Sequence, residues 1–289
     1  MSSYPPPGEQ DPREYGQQPP GGYPPPGGYP GPAGHGPPVD DPLVAVSFGD
    51  WWSKVVGVFA RSWQSLLIIQ LAVVAPVLVL VALIGLVVGT GAVTPEAIGP
   101  GALAWLFVSA LVIVAVSLLA QGASVYVVVR EAVGNPVRAG EALSFGAGRA
   151  LPLLGWGLLA GILMLIGFIL LIVPGLYLLV VFGSALTGVI MFERRGIGRA
   201  FQLANKKFWP MAGRVISFLL VGIVYNLVVE AIVGAFVAQN SVAFELAVNI
   251  LTVPLTLATV GVAIVAYAEL RHHEDPRVTS HVLAGELSA

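Results

Sequence analysis

Glu230 is the side chain in this sequence with the most obvious capacity for chemistry. It sits within the apolar run "YNLVVEAIVGAF" and is the one ionisable residue that cannot be assigned to the end of an apolar stretch. A carboxylate in such a run must be protonated, paired or turned towards water, which makes Glu230 a candidate proton or solute site. Asn226, one helical turn earlier, and the adjacent Tyr225 could share hydrogen bonds with it. Gln121, Asn249 and Thr252 on other apolar runs are further polar partners. The same residues could equally act as a polar clamp between packed helices.

A second group is cationic. The stretch "FERRGIGRAFQLANKKFWP", residues 192 to 210, gathers five basic side chains in a chain whose charged fraction is 10%. On a helical wheel Ile197, Ala200, Phe201, Ala204 and Phe208 fall on one side, and Arg195, Arg199, Gln202 and Lys206 on the other. An amphipathic segment of this kind lies in the membrane interface, its apolar side in the acyl boundary and its cations on anionic head groups. Arg195, Arg199, Lys206 and Lys207 are therefore candidates for docking lipid head groups or a partner protein, or they simply anchor topology.

Other chemistry is poorly supported. "HHED" at 272 to 275 has the residue types for a metal, but neighbouring histidines on a short exposed tail are ordinarily solvated, so no metal or other cofactor is expected. "GIG" at 196 to 198 lacks the preceding strand and third glycine of a phosphate loop. No paired carboxylates, activated serine or metal constellation suggests catalysis, so the chain does not read as an enzyme. A net charge of -2 with few basic residues gives no footprint for nucleic acid. With no cysteine, disulfides, thiolate chemistry and iron–sulfur clusters are excluded.

The elements that must position these residues follow from composition. A hydrophobic fraction of 56% and a mean hydropathy of +0.84 are those of a membrane protein. Residues 1 to 42 differ, with fourteen prolines and nine glycines, and read as a disordered, partly polyproline II tail in which no signal peptide is visible. Its four tyrosines, Tyr4, Tyr15, Tyr23 and Tyr29, could serve a protein partner or weak self-association. A helix needs roughly 20 apolar residues to cross a hydrocarbon core of about 30 Å. Charge-free runs at Ser65 to Gly89 and Gly101 to Val129 give spans one and two, joined by "TGAVTPEAIGP". The forty-two uncharged residues from Leu151 to Phe192 would reach about 60 Å as one helix, so they fold back as spans three and four, with Pro174-Gly175 the expected break. Met211 to Val237 and Leu246 to Ala268 are spans five and six, joined by "QNS". Pro76 and Pro254 are expected to kink their helices. Gly85 with Gly89, and Gly157 with Gly161, have the spacing of close helix approach.

With six spans and the amino terminus inside, all fourteen basic residues fall at the cytoplasmic side, where short loops carry an excess of Lys and Arg. "GEALSFGAGRALP" (140 to 152) aligns without a gap to "GRAFQLANKKFWP" (198 to 210), and "SFGDWWSKVVGVFARSW" before span one is a weaker third copy. The expected fold is all-α: six transmembrane helices as three hairpins, each preceded by an interfacial amphipathic helix. The membrane domain runs from 43 to 271 and a short cytosolic tail from 272 to 289.

Two further stretches carry a resemblance. "ILLIVPGLYLLVVFGSALTGVIMFERRGIGRAFQLANKKFW" and "AYAELRHHEDP" resemble the glycerophosphoryl diester phosphodiesterase membrane domain and the related proline- and glycine-rich transmembrane proteins of bacteria. The likeness covers about residues 45 to 275; Gln202 and Leu203 stand where that family often has an Arg-Ser pair. In longer relatives of that family a separate soluble domain carries the catalysis. The resemblance therefore implies a membrane module without activity of its own. The expected role is a noncatalytic plasma-membrane protein touching lipid head groups or partners at the cytoplasmic face. A small transporter or exporter subunit using Glu230 is the alternative, and a membrane lipid hydrolase would need a nucleophile that the sequence does not display.

Overall fold

Long charge-free sequence dictates long helices, because a backbone in hydrocarbon can satisfy its own N–H and C=O groups only within a helix or a closed barrel. The computed structural model describes residues 41–89, 100–239 and 241–288, and every regular element among them is helical. The opening tail up to residue 40, the connection at 90–99 and Asn240 lie outside the described residues. The elements are α1 (Phe48–Gly89), α2 (Pro100–Ala132), α3 (Ala139–Leu170), α4 (Ile172–Val181), α5 (Ile197–Asn205), α6 (Phe208–Phe236), α7 (Val242–Glu274) and α8 (Ser280–Ser288). Two π-helical stretches, Phe182–Leu186 and Val189–Glu193, continue the path of α4.

Among the described residues, five helical segments are long and apolar enough to cross a membrane: Phe48–Ala72, Phe107–Ala132, Ala139–Leu170, Phe208–Phe236 and Ala243–Glu274. Ile172–Leu186 is a shorter apolar helix. The chain is thus an all-helical integral membrane protein. Where a sixth regular span is expected, it has a short α-helix followed by π turns, whose wider loops advance less per residue.

The break after α3 also differs from expectation. It falls at Leu171, which is extended (φ −163, ψ 150), and Pro174 occupies the first turn of α4, where its missing N–H costs nothing. Gly175 makes the hairpin possible: a Cβ there would lie 2.4 Å from the Phe168 ring. Pro76 and Pro254 remain within continuous helices.

Of the three expected interfacial helices, only α5 is separate. The copy at 140 to 152 is continuous with α3, which carries Pro152 inside it, and the copy before span one is the start of α1. Nothing between Trp63 and Ser65 breaks a helix, so the amphipathic stretch and the span run as one rod of 42 residues, about 63 Å long. In the copy at 198 to 210 the helical path is interrupted at Lys207 (φ −135, ψ 43), and Pro210 falls in the first turn of α6.

Burial is uneven along these rods. Trp51, Leu43, Leu66, Met191, Leu203, Met211, Tyr267 and Leu283 are fully buried around the start of α1, the end of α7 and α5 and α8. Further along, α6 exposes Leu220, Ile223, Val224, Leu227, Ile232 and Phe236, and just 11% of its apolar window is buried. Such a contiguous apolar surface is intolerable in water and ordinary against acyl chains.

The carboxy-terminal residues are not an exposed tail. Ser280, Leu283, Ala284 and Leu287 of α8 are buried. Asp41, counted with the tail from sequence, accepts hydrogen bonds from the Ser280 N–H (2.8 Å) and Oγ (2.5 Å) and from the N–H groups of Leu43 and Val44 (both 2.9 Å). One carboxylate thereby caps α8 and ties it to the strap at the front of the described chain. Burial works to raise the Asp41 pKa, but the Ser280, Leu43 and Val44 donors outweigh it and hold the carboxyl below its ordinary value.

Candidate functional site

The cationic stretch begins where the second π-helical turn runs out. Arg194 adopts the left-handed conformation (φ 53, ψ 31), and the N–H groups of Arg194 and Arg195 both return to the Val189 carbonyl. That turn leaves Arg194 and Arg195 exposed, then starts α5 in a new direction. The apolar side of α5 does not meet acyl chains. Ile197, Ala200, Leu203 and Ala204 are buried against protein, with Phe201 beside the rings of Tyr177 and Phe182.

The polar side of α5 is likewise occupied. Arg199 Nε donates to Glu193 Oε2 at 2.6 Å, and its terminal nitrogens take both oxygens of Glu274. Lys206 Nζ donates to the same carboxylate at 2.6 Å. From Glu193 the network continues to Tyr267 (3.2 Å) and Arg271 (3.3 Å), and from Arg271 Nη2 to Glu286 of α8 at 2.9 Å. Acid and base alternate as Glu286, Arg271, Glu193, Arg199, Glu274 and Lys206, drawn from α8, α7, the π turn and α5. The hydrogen bonds from Arg199 to Glu274 and Glu193 outweigh its desolvation and raise its pKa, so it stays charged.

A second pair lies deeper. Arg214 Nη1 is 2.6 Å from Glu269 Oε1, both side chains are about 95% buried, and Lys207 Nζ approaches the same oxygen at 3.9 Å. Removing one member of such a pair strands a charge at a cost of about 3–5 kcal/mol, whereas replacing both by apolar residues is often neutral.

Over this network lies an open basin of about 710 Å³, lined by Phe192, Glu193, Arg194, Arg195, Arg199, Arg271, Glu274, Asp275 and Glu286. Its lining carries four carboxylates and four arginines, Arg194 and Arg195 included. Arg194 and Arg195 on the rim have no ion-pair partner among the described residues. The Trp156 ring packs against Gly196, immediately after this pair, so closely that a Cβ would lie 2.2 Å from it.

Of the four cations singled out from sequence, Arg195 is free, Arg199 and Lys206 neutralise Glu274, and Lys207 faces Glu269. The other three residues do not converge. Tyr225 donates to the Leu251 carbonyl of α7 at 2.7 Å, and Asn226 donates to Gly222 of its own helix at 2.9 Å. Glu230 is exposed on α6, six residues from the Phe236 end, with no hydrogen bond or ion pair to any described residue. Asn249 and Thr252 are bonded within α7. The "HHED" residues are pulled apart: the His272 ring binds the Val278 carbonyl, Glu274 binds Arg199, and Asp275 binds Arg277.

Sequence reasoning missed the acidic half of the site. Glu269, Arg271 and Glu274 were visible in "AYAELRHHEDP", but their partners lie far away in sequence, Glu193 being 74 residues from Tyr267. A signal for α8 did exist, since Leu283, Ala284 and Leu287 have helical spacing. No protein-family model, no curated protein and no solved structure matches the chain.

Proposed function

We propose that this chain is a noncatalytic, six-span protein of the plasma membrane that takes anionic phospholipid head groups on its Arg194–Arg195 rim. Both chain ends and the basin face the cytoplasm in this reading, and the proline-rich segment is an interaction arm. It extends the likeness to the phosphodiesterase membrane domain from sequence to role. The supporting observation is the exposed, unpaired Arg194–Arg195 turn beside an aromatic ring. Tryptophan favours the head-group level of a bilayer, which puts the two guanidinium groups at lipid-phosphate depth. The other cations of the 192–210 stretch, Arg199, Lys206 and Lys207, are paired with Glu193, Glu269 and Glu274 and contribute little attraction.

Each cation near an anionic surface contributes about 1 kcal/mol, so the pair together favours anionic lipid by about 2 kcal/mol, roughly 30-fold. The test is lipid retention by purified protein from mixed phosphatidylglycerol and phosphatidylcholine micelles. Wild type is expected to enrich phosphatidylglycerol, and Arg194→Ala/Arg195→Ala to lose most of that enrichment while remaining folded. Equal retention by the double variant would refute the reading.

A further inference from the structure

Away from the charged end, three cavities in the apolar part of the bundle adjoin one another and share lining residues. The smallest, about 120 Å³, lies among α1, α2 and α7 and is lined by Gln70, Ser117, Gln121, Ser124 and Thr256 together with a few aliphatic groups; Ser117 and Thr256 are exposed, so it also opens to the exterior of the bundle. The next, about 260 Å³, shares Gln121, Thr259 and Val260 with it and is otherwise walled mainly by Val125, Leu179, Val215, Phe218 and Leu219. The third, about 450 Å³, shares Phe218, Leu219 and Thr259 and runs between α6 and α7. It ends at Ile223 and Leu227, both more than half exposed on the apolar exterior.

Polarity falls along this path. At the polar end Ser124 is 97% buried and Gln121 half-buried, and neither side chain has a hydrogen-bond partner among the described residues. The space beside them is roughly eight times the 10–15 Å³ that one water needs, so it admits a polar group larger than water. No charged residue lines any of the three cavities among the described residues, so an ionic head would be desolvated without a counter-charge. The middle section is bordered by Gly183 and Thr187, in and next to the first π-helical stretch, and π turns are frequent at binding sites.

We propose that the three cavities form one binding site for an uncharged single-chain amphiphile. Its hydroxyl- or amide-bearing head bonds Gln121 and Ser124, its chain passes Thr259, and its tail leaves between α6 and α7 into the bilayer. The groove opens where hydrocarbon chains are the solvent, and its most polar lining is at the Gln121–Ser124 end. The head, not the tail, therefore sets specificity.

The test uses purified full-length protein and tritiated monooleoylglycerol in detergent micelles, with oleate at pH 9 as the charged competitor of equal chain length. Wild type is expected to bind monooleoylglycerol saturably at about one per chain, with oleate at least tenfold weaker. Gln121→Leu should weaken binding at least fivefold. Thr259→Phe, which fills the junction from α7, should do the same while leaving Gln121 and Ser124 in place, and each variant is checked for wild-type elution and melting. Arg194→Ala/Arg195→Ala should leave this binding unchanged, which separates it from the head-group reading above. Non-saturable uptake, oleate binding as tightly, or folded Gln121→Leu and Thr259→Phe variants that bind like wild type would each overturn the proposal.

Discussion

The two ends of α6 live under different physics. At its start, Met211, Arg214 and Val215 are buried in a packed, ion-paired core shared with α7 and α1; from Leu220 to Phe236 most large side chains face outward. The first region resembles the interior of a soluble protein, where a misplaced charge or an extra methyl is costly. The second has almost no interior, so substitutions there are judged by lipid rather than by neighbours. The contrast teaches that the charged residues hold the folded end together, while apolar length alone sets the membrane-facing remainder.

The sharpest way to break that contrast is at the buried pair. Arg214→Ala strands Glu269 and should destabilise the protein by about 3–5 kcal/mol in thermal unfolding in detergent. Arg214→Leu/Glu269→Leu should recover most of that loss, since no charge is left uncompensated. Gly188→Ala comes next: its new Cβ would lie 2.1 Å from Tyr267 Cγ, and the overpacking should cost about 1–3 kcal/mol by the same measurement.

Asp41→Asn should cost about 1–3 kcal/mol and free α8, read as faster proteolysis after residue 275. Because the folded Asp41 pKa is lowered, its contribution is fully present above the ordinary value of 3.8 and is lost as pH falls below it. The wild-type advantage over Asn should accordingly be flat from pH 8 to 5 and shrink under acid titration. The smallest effect is expected in the lipid-facing half: Glu230→Gln should change stability by no more than about 0.5 kcal/mol, as an exposed residue with no described partner. A large loss there would mean that Glu230 clamps α6 to a partner rather than standing alone.

Composition made the second region legible and the first only partly so. The bounds of α2 follow from a charge-free run to within three residues and α6 lies close to the expected Met211 to Val237, whereas α7 starts at Val242 and runs on to Glu274, beyond the expected Leu246 to Ala268. The position of the α3–α4 break does not follow from composition, because Pro174 is as acceptable in the first turn of a helix as between helices, and Leu171 carries no mark of the extended backbone that it adopts. The π turns leave no trace in "FGSALTGVIMFE". At the polar end, counting cations without their acids made Arg199 and Lys206 look available, when Glu274 returns from 75 and 68 residues away to neutralise them. Arg195 was identifiable as exposed and cationic; the cavity polarity at Gln121 and Ser124 required three helices to be placed together.

Since the chain contains no cysteine, single cysteines can report sidedness without background. The most direct measurement is labelling of Arg195→Cys, Val173→Cys and Ala238→Cys by a membrane-impermeant maleimide in intact cells and inverted vesicles. The account expects Val173→Cys and Ala238→Cys to react from outside the cell and Arg195→Cys solely in inverted vesicles. Reaction of Val173→Cys from the same side as Arg195→Cys, or protection of Val173→Cys from both, would contradict it.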